Sequence, residues 1–253
     1  MPTPIQLLNS NPLTLSGSEA LFAQSTTQGT GGATAAQVAN CVDPLYYRRV
    51  FMPRAASGGK GTDMGANAFA LTFANSPTTV PVVGGQDAYA FSFNGTNQAV
   101  YATSANASCE LLGDFTLEAW CRPQSGVAGF VLGTCLASAG VGIDIGTSGF
   151  YVYFGGQSSG SNIISLTPTI SSTVYSHVAA VRLGTTVTAY LNGVAIGTAT
   201  NSTALTDAAA CVGSDNNGGN GFFTGQIYAP RISQFAQYAT NFSPPTTPFP
   251  VIP

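Results

Sequence analysis

Val187-Thr188-Ala189-Tyr190-Leu191-Asn192-Gly193-Val194-Ala195-Ile196 reads as two short alternating runs joined by an Asn-Gly pair. Asn and Gly tolerate the left-handed backbone of a two-residue type I′ turn, and the twist of that turn matches the twist of paired strands. A hairpin is therefore expected, with Leu191 opposite Val194 and Ala189 opposite Ile196. That register puts four apolar side chains on one face and Tyr190 on the other. Working outward, Phe115-Thr116-Leu117-Glu118-Ala119-Trp120-Cys121-Arg122 shows the same period of two. Phe115, Leu117, Ala119 and Cys121 share a face, and Pro123 ends the run. Strands are also expected at Phe91 to Phe93 before Asn94-Gly95, at Val100-Tyr101, and at Phe130 to Leu136, Val141 to Ile145 and Phe150 to Phe154. His177 to Leu183, Ala208 to Val212 and Phe222 to Ile227 complete the set. Short strands at this spacing, punctuated by Gly and Asn, predict an all-β fold, a two-sheet antiparallel sandwich.

Residues before about 88 have a different texture. They hold strand-like pieces at Ile5 to Leu8 and Leu13 to Leu15, a Gly/Thr stretch from Thr26 to Thr34, and a helical turn or two at Ala35 to Ala39. Gly58-Gly59-Lys60-Gly61 reads as a flexible loop. Pro244-Pro245-Thr246-Thr247-Pro248 reads as an extended, polyproline-like tail. The expected organisation is a small, mostly irregular docking or oligomerisation region over 1–87, the sandwich over 88–240 and a Pro-rich tail over 241–253.

Only 7% of the 253 residues are charged and the net charge is −3, so the basic face of a nucleic-acid binder is not expected. A surface so poor in charge lacks the repulsion that keeps monomers apart, which points to a homo-oligomer, a trimer among the candidate states. Arg48, Arg49, Arg54 and Lys60 nonetheless cluster in one short segment. They are candidates for docking an acidic partner; the plainer reading is a solvated loop or an internal ion pair. The five cysteines are widely spaced and odd in number, without the C-x-x-C pairs of zinc sites, which suits folding in a reducing cytosol. Met1-Pro2-Thr3-Pro4 lacks a basic stretch followed by an apolar one, so no signal peptide is expected, and no run reaches the ~18 apolar residues of a membrane span.

Five pieces in order, Phe93-Asn94-Gly95-Thr96, Asp114 to Trp120, His177 to Arg182, Tyr190-Leu191-Asn192-Gly193 and Phe223 to Ile227, resemble the laminin-G-like (concanavalin A-like) jelly-roll family. The closing stretch, Arg231 to Tyr238 and Asn241 to Pro250, is similar to copies of this domain in tailed-phage virion proteins. Leu13 to Leu21 resembles a short N-terminal module of phage structural proteins. The chain departs from the family pattern where Tyr228-Ala229 replaces an acidic pair and Tyr175-Ser176 stands where Trp is common. The resemblance implies a jelly-roll sandwich suited to glycan or protein binding; the fold alone names no ligand.

Glycosidases on such sandwiches need two carboxylates about 5–10 Å apart. No strand here carries two on one face: Glu118 shares its face with Trp120 and Arg122, and Asp144 stands between Ile143 and Ile145. His177, the one histidine, reads as a hydrogen-bonded, partly buried group. The loop Ser214-Asp215-Asn216-Asn217-Gly218-Gly219-Asn220-Gly221 presents short oxygen-bearing side chains, as sugar- and calcium-binding loops do. Asp215, Asn216, Asn217 and Asn220 are accordingly candidate ligand residues, with Ca2+ the ion such a loop would take; a long turn would select the same residues with no ligand at all. No other cofactor is expected. The first functional expectation is a non-catalytic virion structural or decoration protein, of head- or tail-fibre type, made in the host cytoplasm and touching other virion proteins. A carbohydrate-binding adhesin for host-surface glycans is the alternative, and a glycan-degrading enzyme is the second alternative.

Overall fold

The computed structural model describes residues 48–102, 109–134, 139–155, 162–206, 209–215 and 219–248. In chain order the strands are β1 Arg49–Phe51, β2 Pro53–Ala56, β3 Lys60–Asp63, β4 Thr72–Ala74, β5 Thr78–Pro81 and β6 Tyr89–Asn94. Next come β7 Ala99–Ala102, β8 Phe115–Pro123, β9 Gly129–Thr134, β10 Val141–Gly146, β11 Gly149–Phe154 and β12 Asn162–Leu166. The last are β13 Ser176–Leu183, β14 Thr186–Leu191, β15 Val194–Thr200, β16 Ala210–Val212 and β17 Thr224–Ser233. Two antiparallel sheets result. One runs β15-β14-β13-β8-β17-β6-β5, with β1 also on β17; the other runs β12-β11-β10-β9-β16-β7-β4; β2 and β3 form a separate hairpin.

The core lies between the sheets. Phe115, Leu117, Ala119 and Cys121 enter it from β8, as their alternation predicts, and meet Val131, Ile143, Ile145, Phe150 and Val152 of the facing sheet. Transferring such side chains out of water stabilises a fold by about 1.5–3 kcal/mol each, which makes this layer the main driving force. The hairpin at 192–193 has positive φ at both turn residues, 51° at Asn192 and 77° at Gly193, as a type I′ turn requires. Leu191 faces Val194 as expected, but a bulge beyond Tyr190 sets Ala189 against Gly197 instead of Ile196. At this bulge Gly197 comes against β12, where a Cβ would lie 2.9 Å from a terminal methyl of Leu166.

Sheet membership does not follow the change in texture near residue 87. β1, β4 and β5 belong to the two sheets, and Phe51 is wholly buried in the core. Strands of three or four residues are too short to display a period. Gly58-Gly59-Lys60-Gly61 is not a free loop: Gly58 and Gly59, at φ 80° and 72°, turn the β2–β3 hairpin, and Lys60 and Gly61 begin β3. Pieces expected before residue 48, including Ile5 to Leu8 and Ala35 to Ala39, lie outside the described residues.

The chain after β17 does not run free. Gln237 N donates to Thr116 Oγ1 at 2.8 Å, whose hydroxyl donates to Phe235 O at 2.9 Å, and Phe242 N donates to Gly193 O at 2.9 Å. Residues 234–245 thus form a strap over the outer face of the larger sheet. This explains why both faces of β13 are buried although only one meets the core.

Candidate functional site

Pairing brings side chains from three strands together on that outer face. β8 presents Glu118, Trp120 and Arg122; β13 sets His177 beside Trp120; β17 sets Tyr228 beside Trp120 and Arg231 beside Glu118. Under the strap Glu118 is fully buried. It accepts from Arg231 Nε at 2.8 Å and Tyr238 Oη at 2.7 Å, and lies 3.1 Å from His177 Nε2. Burial alone would push this carboxyl up; the Arg231 charge and the hydrogen bonds from His177 and Tyr238 outweigh it and hold it down to about 2. A carboxylate so engaged has no lone pair left for a substrate. Its role is to fasten the strap.

Beyond Glu118 the same face opens to solvent. Buried Tyr228 backs Trp120, the rings parallel within 4° at 5.8 Å, and Tyr175 meets Tyr228 edge-on at 4.9 Å. Trp120 Nε1 donates to Pro245 O at 3.3 Å, which fixes the indole. Arg122 lies over the Tyr175 ring at 5.2 Å and donates to Gln226 Oε1 at 2.6 Å, the atom that also takes the Tyr175 hydroxyl at 2.6 Å. Trp120, Tyr175, Arg122 and Gln226 are each half-buried. Exposed Val83 and Val174 stand on the adjoining loops, 99% and 62% accessible. At the edge of the shelf Ala229 has φ 47°, next to a bulge between Tyr228 and Arg231. Asp87 supports that turn by accepting from the Ala229 amide.

The loop expected to hold a ligand is placed differently. Asp215 is 2% exposed, donates from its backbone to Asn220 O at 3.0 Å, and faces Asp144 of β10 closely enough for the two charges to interact. Burial, and then Asp215, push Asp144 up to about 7. Asn220 is exposed, whereas Asn216 and Asn217 lie outside the described residues. Asp144 Oδ1, Asp215 Oδ1 and Ser214 Oγ have no hydrogen-bond partner. Among the described residues no group of three His, Cys, Asp or Glu could hold a metal.

The four basic residues do not form one patch. Arg48 and Arg49 each lie 5.6 Å over the Phe235 ring, Arg54 pairs with Asp87 at 3.2 Å, and exposed Lys60 borders a cleft of about 600 Å³ beside Phe73 and Thr79.

The family described as the concanavalin A-like lectin/glucanase superfamily, laminin-G type, matches residues 94–239. The chain belongs to this superfamily. No curated protein matches it. Among solved structures it is similar to the binding domain of Paraclostridial mosquitocidal protein 1, at 16% identity and a TM-score of 0.57. It is also similar to botulinum neurotoxin type C, reported to interact with two ganglioside molecules, at 11% and 0.58. A third is the binding domain of botulinum neurotoxin DC, solved with rat synaptotagmin II, at 12% and 0.54. These likenesses cover 77–78% of this chain and 50% of each of those chains, so the chain spans half their length, and they show the fold alone.

Within the superfamily two departures of this chain gain meaning from the geometry. Tyr228 stands where the family pattern often has an acid, and Tyr175 stands next to the His-Val-Ala run where the pattern often has Trp. Both rings belong to the shelf. Sequence reading singled out neither as a site residue; the signal available was that both departures introduce an aromatic ring.

Proposed function

We propose that this chain is a non-catalytic carbohydrate-binding module displayed on a tailed-phage particle, with the sugar seated on the shelf formed by Trp120, Tyr175 and Tyr228. The observation that carries the reading is two partly exposed aromatic rings, Trp120 and Tyr175, backed by buried Tyr228 and set beside two fixed polar side chains, Arg122 and Gln226. The C–H faces of a sugar pack on aromatic rings while its hydroxyls need a few oriented polar groups. Catalysis is not part of the reading, because the acid on this face, Glu118, is locked by three partners. A glycan array with the full chain tests it, followed by titration of Trp120 fluorescence, the single tryptophan. Binding should weaken about tenfold or more in Tyr175→Ala. An array on which no glycan binds overturns the proposal.

The virion placement is supported by the charge-poor composition and by the phage-like closing stretch. Residues 1–47 are assigned to incorporation through contacts with other virion proteins and with further copies of the chain. Deleting 1–47 should remove the protein from purified particles; normal occupancy after the deletion would refute that role.

A further inference from the structure

We infer that the sugar bound on this shelf carries a carboxylate, and that Arg122 is the residue that recognises it; the inference rests on the carbohydrate-binding reading above. The reasoning is a balance of charges and hydrogen-bond donors. An arginine stays protonated in proteins, so its charge must be met by a carboxylate, by several carbonyls or by solvent. Arg231 is met by Glu118, and Arg54 by Asp87. Arg182 is 1% exposed and closes on the carbonyls of Leu111, Gly113 and Thr203. Arg122 has neither a carboxylate nor a set of several carbonyls, and its guanidinium is left partly open to solvent, where a ligand can reach it. Its acceptors are one backbone carbonyl, Thr173 O at 3.3 Å, and the amide oxygen of Gln226 at 2.6 Å, and its Nε has no partner. No carboxylate among the described residues pairs with it. Asp87, whose charge reaches Tyr228, pairs with Arg54 through one oxygen and is itself buried, so it does not present a carboxylate on the shelf surface.

Gln226 adds to the imbalance. Its Oε1 accepts from both Arg122 and Tyr175, which fixes the orientation of the amide and leaves its two N–H groups without an acceptor among the described residues. The shelf therefore offers spare donors and a positive charge, and no spare carboxylate. A neutral sugar hydroxyl both donates and accepts; a carboxylate only accepts, and charge-assisted bonds to it are about twice as strong as neutral ones.

The test uses the full chain with sialyl-lactose and oligogalacturonate, each beside its carboxyl-reduced counterpart, and with neutral oligosaccharides. The acidic forms should bind about tenfold or more tighter than the reduced forms, and that preference should fade as salt is raised. In Arg122→Gln the acidic and carboxyl-reduced forms should bind equally, whatever the change in overall affinity. Should that variant fail to fold, carboxyl reduction and the salt series on the native chain decide the matter. Equal binding of acidic and reduced forms overturns the inference and leaves the carbohydrate reading standing. Binding of no glycan overturns both. Acid preference that survives in a folded Arg122→Gln protein overturns the assignment to Arg122.

Discussion

Replacing Glu118 by Gln removes the charge that Arg231, His177 and Tyr238 surround, without removing volume. Two routes give the magnitude. The carboxyl is held at about 2 against an ordinary 4.5, which at about 1.4 kcal/mol per tenfold change in proton affinity makes about 3 kcal/mol. Breaking a buried ion pair from one side costs about 3–5 kcal/mol in general, because the remaining charge is stranded. The two agree, and in a domain of this size they correspond to a melting temperature lower by roughly 6–12 °C. The folded protein holds this carboxyl ionised more firmly than the unfolded chain does. Its contribution is therefore whole above about pH 4.5 and is lost as pH falls toward 2. Urea unfolding of native and Glu118→Gln proteins between pH 7 and pH 3, followed by circular dichroism, should show the gap between them narrowing on the acid side. Trp120 fluorescence adds a local report, since its Nε1 is bonded to Pro245 of the strap; its emission should shift to the red in the variant at neutral pH. A gap below about 1 kcal/mol, or one independent of pH, would show that Glu118 does not fasten the strap.

Gly193→Ala should destabilise by about 1–3 kcal/mol and loosen the strap, because φ is 77° and the new Cβ would stand 1.9 Å from Phe242 O; an unchanged urea midpoint would refute this. Cys121 is a free, buried thiol whose ionisation burial pushes up, so it should stay unmodified by Ellman's reagent until the protein unfolds, and reductant should leave the melting temperature unchanged. A fragment spanning 48–249 should fold cooperatively, whereas 88–240 lacks β1, β4, β5 and the buried Phe51 and should not; equal thermal stability of the two would be contrary evidence.

Local rules made part of this protein legible without coordinates. The turn at Asn192-Gly193 follows from two residues that accept positive φ, and the inward face of β8 follows from a period of two in Phe115, Leu117, Ala119 and Cys121. Both depend on neighbours in sequence. The opposite face of β8 obeys the same period, yet its meaning depends on residues far along the chain. Glu118 is 59 residues from His177, 113 from Arg231 and 120 from Tyr238. By alternation it is an outward-facing acid; the returning strap makes it a buried ion bonded to Arg231, His177 and Tyr238. Trp120, Tyr175, Tyr228, Arg122 and Gln226 likewise come from two strands and a loop, and become a shelf only through the register of β8 with β13 and β17. Strand periodicity settles which way a side chain points. Whether that direction leads to water, to a partner or under another segment is set by long-range packing, and this the tertiary structure alone decided.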